Sequence, residues 1–392
     1  ILEIQLELLQ KQVLKNPPAK RGNMCMKSLF DLYSEQKKSY YQIDCNAGEL
    51  FTYNLEESQS ECLAFLEQHY EKGEKEDLFN RDLTPQYNRH GKHTHSASLY
   101  LLGMTLLSTF KTNINNRLKS FVPDYASWCE DDYDFQYIWF LPAMYHDFAS
   151  CIELGTIHAN DSEQHRSLRF HFGDHNICYS PYRSFPYKVD NIPFRFSPEL
   201  IENYFYYRAC HGKCEHGIIA GYLFFDGFVK NFLKKTKDCF NRCGSMNRYG
   251  LNWNIGHLTF AAYAADAIIC HNIWLGGKTE KEEYTQYGLT PLVYTAHPES
   301  KLSVEEFPLQ FMLCLLDTIE PIKRFEDTLS PREILQGIKL DSTADDEIVI
   351  SWDAGIAQQK GFKRWKKGIV DTKKWMCVRV ADEDDHVRIT FY

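Results

Sequence analysis

Asp317 stands in the run Leu309–Ile322, flanked by Phe311, Met312, Leu313, Leu315, Leu316 and Ile319. A carboxylate buried among such neighbours loses its hydration, so it needs a cation or a set of hydrogen bonds to stay charged. A metal ion would supply that cation. The adjacent pair His146-Asp147 is a second group of this kind. Adjacent helical residues point about 100° apart, so they can reach one centre only if it lies beside the helix. Imidazole nitrogens suit Zn, Fe and Mn, and a carboxylate can bridge two ions. His95, His216 and His271 stand at the ends of apolar-periodic runs and complete a set of candidate ligands. His211 competes with His216, and His93 or His90 with His95.

These residues must be positioned by helices. Apolar residues recur at helical spacing over Ser98–Phe121, Phe135–Ala149, Glu215–Lys234, His257–Trp274, Val304–Phe325 and Pro331–Ile338. Pro142 is expected to kink the second of these. Pro198–Arg208 opens with a proline and Glu199, a helix start. Ser330 before Pro331 reads as an N-cap. Ile1–Leu14 is apolar-periodic and stops at Pro17-Pro18, and Leu55–Tyr70 also has helical spacing. Residues 150–198, rich in Gly, Pro, Asn and aromatics, read as an irregular insertion. After Lys339 the pattern alternates, and Glu347–Trp352, Lys374–Val380 and His386–Tyr392 read as short strands. The expectation is a mainly α chain: an N-terminal helical extension (1–89), a helical bundle (90–339) with its insertion, and a small β-rich tail (340–392).

The order His, His-Asp, His, His, Asp resembles the HD-domain superfamily of metal-dependent phosphohydrolases. The matching pieces are His95-Ser96-Ala97-Ser98-Leu99, Ala143-Met144-Tyr145-His146-Asp147, Glu215-His216-Gly217, Ala267-Ile268-Ile269-Cys270-His271-Asn272 and Leu313-Cys314-Leu315-Leu316-Asp317. Leu316-Asp317-Thr318-Ile319-Glu320-Pro321 looks like that superfamily's last ligand helix. The resemblance spans roughly residues 90–325. It implies an HD-domain-like helical bundle in which His95, His146, Asp147 and Asp317 hold one divalent ion. His216 and His271 would hold a second, bridged by Asp147. The ion would be Mn, Mg, Fe or Zn. It further implies hydrolysis of a nucleotide, whether a nucleoside or deoxynucleoside phosphate or a cyclic or oligonucleotide signal, by a metal-activated water. Asp147, His216 and Lys213 are the expected catalytic positions. Lys92, Arg208, Lys213 and Arg183, with Lys188, are the expected phosphate clamps. Two alternatives stand beside it: a di-iron oxygenase on the same ligands, and a non-catalytic nucleotide sensor acting through a partner, against which the complete ligand set argues. The sequence departs from the cyclic-dinucleotide branch, because Gly221-Tyr222 is followed by Leu223 where that branch has proline. Arg81, Arg89 and Lys92 precede His95, but they do not form the arginine-rich entry segment of the deoxynucleotide triphosphohydrolases.

The bulk numbers limit the alternatives. A net charge of -9 removes a general basic footprint for duplex nucleic acid. The 13 cysteines, odd in number and scattered, read as reduced thiols of a cytoplasmic protein, as no secretory signal is visible. No apolar run approaches the length of a membrane span. Gly276-Gly277-Lys278-Thr279 lacks the first glycine and preceding strand of a phosphate loop. Cys210/Cys214 and Cys239/Cys243, paired at i, i+4, read as core or semi-buried thiols rather than as a structural zinc site. The Ile1–Leu14 stripe and the tail are the expected surfaces for self-association or a protein partner.

Overall fold

The computed structural model describes residues 26–42, 92–121, 132–147, 149–150, 166–183, 192–240, 255–275, 282–294, 298–325, 328–344 and 346–392. The expected helices Ile1–Leu14 and Leu55–Tyr70, the run Gly276–Thr279, and Lys188 lie outside these residues. The chain is mainly helical, with a small antiparallel sheet formed largely by its C-terminal residues. The helices that bear on the site are α1 (Leu29–Gln42), α2 (Lys92–Thr105), α3 (Leu107–Phe121), α4 (Asp132–Tyr145), α5 (Leu168–Asp174), α6 (Pro198–Cys210), α7 (His216–Phe240) and α8 (Ile255–Cys270). They are followed by α9 (Glu282–Gln286), α10 (Pro308–Ile319), α11 (Ile322–Phe325) and α12 (Pro331–Gly337). α13 (Ala354–Ala357) and α14 (Phe362–Asp371) lie within the tail.

Local chemistry explains several of these boundaries. Ser197 accepts the Leu200 N–H, and Pro198 occupies the first turn, so α6 starts where the sequence expects. Ser330 caps α12 with a full capping box, its partner being Glu333. The stretch Val304–Phe325, expected as one helix, is two. Pro321 disfavours helical backbone at Glu320, which is extended with φ −59° and ψ 123°. Ser98–Phe121 likewise divides at Leu106. There Thr105 Oγ1 donates back to the Leu101 carbonyl at 2.9 Å, competing with the helix's own pattern. The run expected to end at Ala149 stops as a helix at Tyr145, so His146-Asp147 lie in the turn beyond it. Residues 150–198, expected to be irregular, contain α5, capped by Ser167.

The sheet consists of β1 (Lys27–Ser28), β2 (Ile338–Ala344), β3 (Glu347–Trp352), β4 (Val378–Asp382) and β5 (His386–Phe391), in the order β1-β2-β3-β5-β4. The expected strands Glu347–Trp352 and His386–Tyr392 are found. The one expected at Lys374–Val380 begins at Val378, because Thr372–Lys374 form a 3-10 turn and Met376 bridges Leu302 rather than joining the sheet. The tail also carries α14, which buries Trp365 and Ile369 at helical spacing. β1 pairs with β2, and α1 packs on α2 with Tyr33 Oη 3.2 Å from Ser98 Oγ. Phe391 of β5 packs against Phe110 of α3 and Phe311 of α10, with ring centroids 5.6 and 5.3 Å away. Trp365 of α14 donates to the Ile319 carbonyl at 3.1 Å. The tail therefore braces the C-terminal end of α10, two residues from Asp317.

Candidate metal centre

Three segments deliver the four residues of the first group. His95 comes from the first turn of α2, His146-Asp147 from the turn after α4, and Asp317 from the last turn of α10. His95 and His146 are fully buried. His95 Nε2 lies 3.2 Å from His146 Nε2, 2.9 Å from Asp317 Oδ1 and 3.7 Å from Asp147 Oδ2. His146 Nε2 lies 3.5 Å from Asp147 Oδ2 and 3.4 Å from Asp317 Oδ1.

The second group shares Asp147. His216, the first residue of α7, places Nε2 3.0 Å from Asp147 Oδ1. His271, just past α8, has its ring 5.5 Å from that of His216 and 5.4 Å from that of His146. His95, His146 and Asp147 offer ligand atoms all within 4.8 Å of one another, and so do Asp147, His216 and His271.

The far side of each buried ring is already committed. His146 Nδ1–H donates to the Ala143 carbonyl at 3.0 Å, and His271 Nδ1–H to the Ile268 carbonyl at 2.6 Å. His95 Nδ1–H donates to Glu320 Oε2 at 2.6 Å. A carbonyl has no proton to give, so the neutral tautomers of His146 and His271 carry their hydrogen on Nδ1 and a lone pair on Nε2. Glu320 does the same for His95. Burial opposes its charge, but His95, Ser98 and the Ile322 N–H hold its carboxyl below the usual range. Three lone pairs and two carboxylates thus face one another in a buried space, an arrangement that repels itself unless a proton or a cation lies among them. This donor set, imidazole nitrogen with carboxylate oxygen, fits a divalent transition metal. The Glu320–His95 pairing is the outer support such ligands commonly have.

The electrostatics follow the same division. Burial lowers the affinity of His146 for a proton, but Asp147 and then Asp317 outweigh it, and its pKa is raised. His271 is pushed down to about 3, by burial first and then by His146 and His216, so it stays neutral. Burial alone would raise Asp317, yet Lys323 and the two histidines hold it well below the usual carboxylate range. Lys323 Nζ pairs directly with Asp317 Oδ1.

All six expected ligands converge. Of the rival histidines, His211 is a half-exposed cap of α6 whose Nε2 pairs with Glu283 Oε1 at 2.9 Å, so His216, not His211, stands in the group that could hold an ion. The expected phosphate clamps are placed differently. Arg208 is held by Glu215 Oε2 at 2.9 Å, directly before His216. Lys213 is exposed between α6 and α7, and Arg183 is exposed at the end of the segment 166–183. Lys92 opens α2, and its side chain lies outside the described residues. No family model, no curated protein and no solved structure matches the chain.

Sequence reasoning gave no role to Glu320, Lys323, Asn272 or Gly217. Glu320 lies three residues beyond Asp317, on the same helical face by spacing, and that spacing was the available signal. Asn272 Nδ2 lies 2.8 Å from His271 Nε2 and 3.1 Å from His216 Nε2, so its amide ties the two rings together. Gly217 leaves room for a ring. A Cβ there would stand 2.6 Å from His271 Cε1 and 3.1 Å from the Ile268 carbonyl oxygen. Gly217→Ala is therefore expected to displace His271, at a cost of about 1–3 kcal/mol. Metal analysis of the folded variant should show the second group impaired and the first retained. An unchanged metal content and an unchanged melting temperature would refute the steric argument.

Among the described residues no helix is long and apolar enough to cross a membrane, and no disulfide is present.

Proposed function

We propose that this chain is a metal-dependent phosphohydrolase of the HD-domain type, acting on a nucleotide. One observation carries the reading. Two groups of buried imidazoles and carboxylates share Asp147, within a helical body and in the order that the resemblance implies. In this reading His95, His146, Asp147 and Asp317 hold one divalent ion, and Asp147, His216 and His271 hold a second. Such ions activate water at neutral pH and neutralise the charge that builds on a phosphate in transfer.

The chain's own residues do the rest. Glu320, the Ala143 carbonyl and the Ile268 carbonyl fix the three rings, so no reorientation is needed when a ligand arrives. Burial of His95 and His146 keeps bulk water from the back of the centre. Asp317 and His216 keep part of their surface accessible, 19% and 13% of their side chains, and mark the side from which substrate enters. A net charge of -9 makes local cations, rather than a global field, responsible for recognising phosphate.

The test is a screen of metal-stripped protein reconstituted with Mn, Fe, Zn or Mg, against nucleoside mono-, di- and triphosphates and linear and cyclic oligonucleotides. Product mass and phosphate release are read. Turnover with at least one metal and one nucleotide is expected, and the same preparation without metal should be silent. Metal binding with no phosphate-bond cleavage across the panel would defeat the hydrolase reading. Iron-dependent oxygen consumption would replace it with the oxygenase.

A further inference from the structure

Lys323 is the one ammonium paired with a residue of the centre among the described residues, and its position is unusual. Its Nζ sits on Asp317 Oδ1, the same oxygen that His95 Nε2 approaches to 2.9 Å and His146 Nε2 to 3.4 Å. That oxygen is thus addressed from three sides, by two imidazoles and one cation. The Lys323 side chain is 13% accessible, close to Asp317 at 19% and His216 at 13%. His95 and His146 have no accessible surface. Lys323 therefore belongs to the open edge of the centre, where an incoming ligand would first meet it.

Its backbone and its side chain behave differently. Glu320 Oε1 accepts the Ile322 N–H at 2.9 Å, and Glu320 Oε2 is 3.5 Å from the Lys323 N–H. The same carboxylate binds His95 and Ser98. The start of α11 is thereby fastened to the ring of His95. Beyond it extends a flexible four-carbon stem carrying a compact charge, which can change partner without moving the helix.

We propose that Lys323 is an internal counter-ion at this centre: it yields Asp317 to a divalent cation and then binds a phosphate oxygen of the substrate. The first half rests only on the metal site, the second on the proposed function. Two cations cannot share one carboxylate oxygen at contact distance without strong repulsion. Entry of a divalent ion therefore drives the ammonium off Asp317. Held by α11 at the open edge, the freed ammonium faces the side from which a phosphate enters, and lysine binds phosphate well as a point charge. Of the other basic side chains, Arg208 is held by Glu215, while Lys213 and Arg183 are exposed in loops. The consequence is coupling. Lys323 weakens metal binding by the free protein, and phosphate relieves that competition by giving the ammonium a new partner.

The test uses the full chain. Calorimetric titration with Mn²⁺ compares wild type, Lys323→Met and Lys323→Arg. If the ammonium rests on Asp317 about nine-tenths of the time, removing it should tighten Mn²⁺ binding roughly tenfold. Lys323→Arg keeps the charge and should bind much as wild type. Inorganic phosphate should then bind Mn²⁺-loaded Lys323→Met more weakly than loaded wild type. A Mn²⁺ affinity unchanged or weakened in folded Lys323→Met overturns the counter-ion role, and undiminished phosphate affinity overturns the clamp. Should the Met variant fail to fold, the ammonium resonance of Lys323 in wild type, followed by nitrogen-detected NMR during Zn²⁺ addition, decides the first half. Movement is expected, and a fixed resonance in Zn²⁺-loaded protein refutes it. Wild type that binds no metal at all would instead defeat the metal site on which both readings stand.

Discussion

Replacing Asp147 with Ala is expected to remove nearly all activity and to empty both metal groups, because this one side chain faces both. Its Oδ1 is 3.0 Å from His216 Nε2, and its Oδ2 is 3.5 Å from His146 Nε2 and 3.7 Å from His95 Nε2. Loss of either carboxylate oxygen alone would weaken one group; loss of the side chain opens both. A fall in turnover of about a thousandfold or more is expected, on the scale seen when a preorganised charged group is removed from an active site. The fold should survive. Asp147 is a cost to the metal-free protein as well as an asset, since it holds negative charge in a buried space. The sign of the pH dependence separates these effects. His146 has its pKa raised above 6.5 chiefly by Asp147, against burial. A raised histidine contributes stability that is fully present below about pH 6.5, the unfolded value, and is lost as pH rises through the folded value. The metal-free variant should therefore fall furthest behind wild type below about pH 6.5 and draw closer at higher pH. Its His146 ring should titrate lower when followed by NMR. A variant that keeps full activity, or whose His146 titrates as before, would remove Asp147 from the centre.

Much of this centre can be read from the chain because its chemistry is local. Asp317 is conspicuous as a carboxylate within an apolar run, and His146-Asp147 as adjacent ligands. The helical character of the body follows from apolar spacing, and the strands at Glu347–Trp352 and His386–Phe391 from alternation. The remainder depends on contacts that no spacing encodes. Lys323 reaches Asp317 only because Pro321 ends one helix and α11 turns the chain back beside it. Asn272 acquires a role from the approach of His216, which is distant in sequence. α14 escapes a reading of the tail as β-rich because its apolar positions, Trp365 and Ile369, are few and lie among lysines. The early end of α4 also matters. A helical His146-Asp147 would point its two side chains about 100° apart. In the turn after Tyr145 both side chains reach one centre without that constraint.

Glu320 should prove nearly as important as the ligands, although it touches no substrate in this arrangement. It is fully buried, and its two oxygens receive His95 Nδ1–H at 2.6 Å, Ser98 Oγ–H at 2.6 Å and the Ile322 N–H at 2.9 Å. Ser98 Oγ is in turn 3.2 Å from the buried Tyr33 hydroxyl, so the network runs from α1 through α2 to the start of α11. Glu320→Ala would strand several buried donors at once, and a loss of about 3–5 kcal/mol in stability is expected, as for a broken buried ion pair. Glu320→Gln is the more informative change. Gln keeps one oxygen and nearly the same volume, so the fold should lose only about 1–3 kcal/mol. Yet its amide cannot bind His95 Nδ1–H as an anion does, and a flipped amide would present a donor to a donor. The ring would then lose both its fixed tautomer and its orientation. Metal affinity should fall about 10–100-fold, the usual effect of removing such an outer support. Calorimetric metal titration of folded Glu320→Gln decides the matter. A purely structural Glu320 would lower the melting temperature and leave metal affinity untouched, whereas a positioning Glu320 lowers the affinity even where the fold holds.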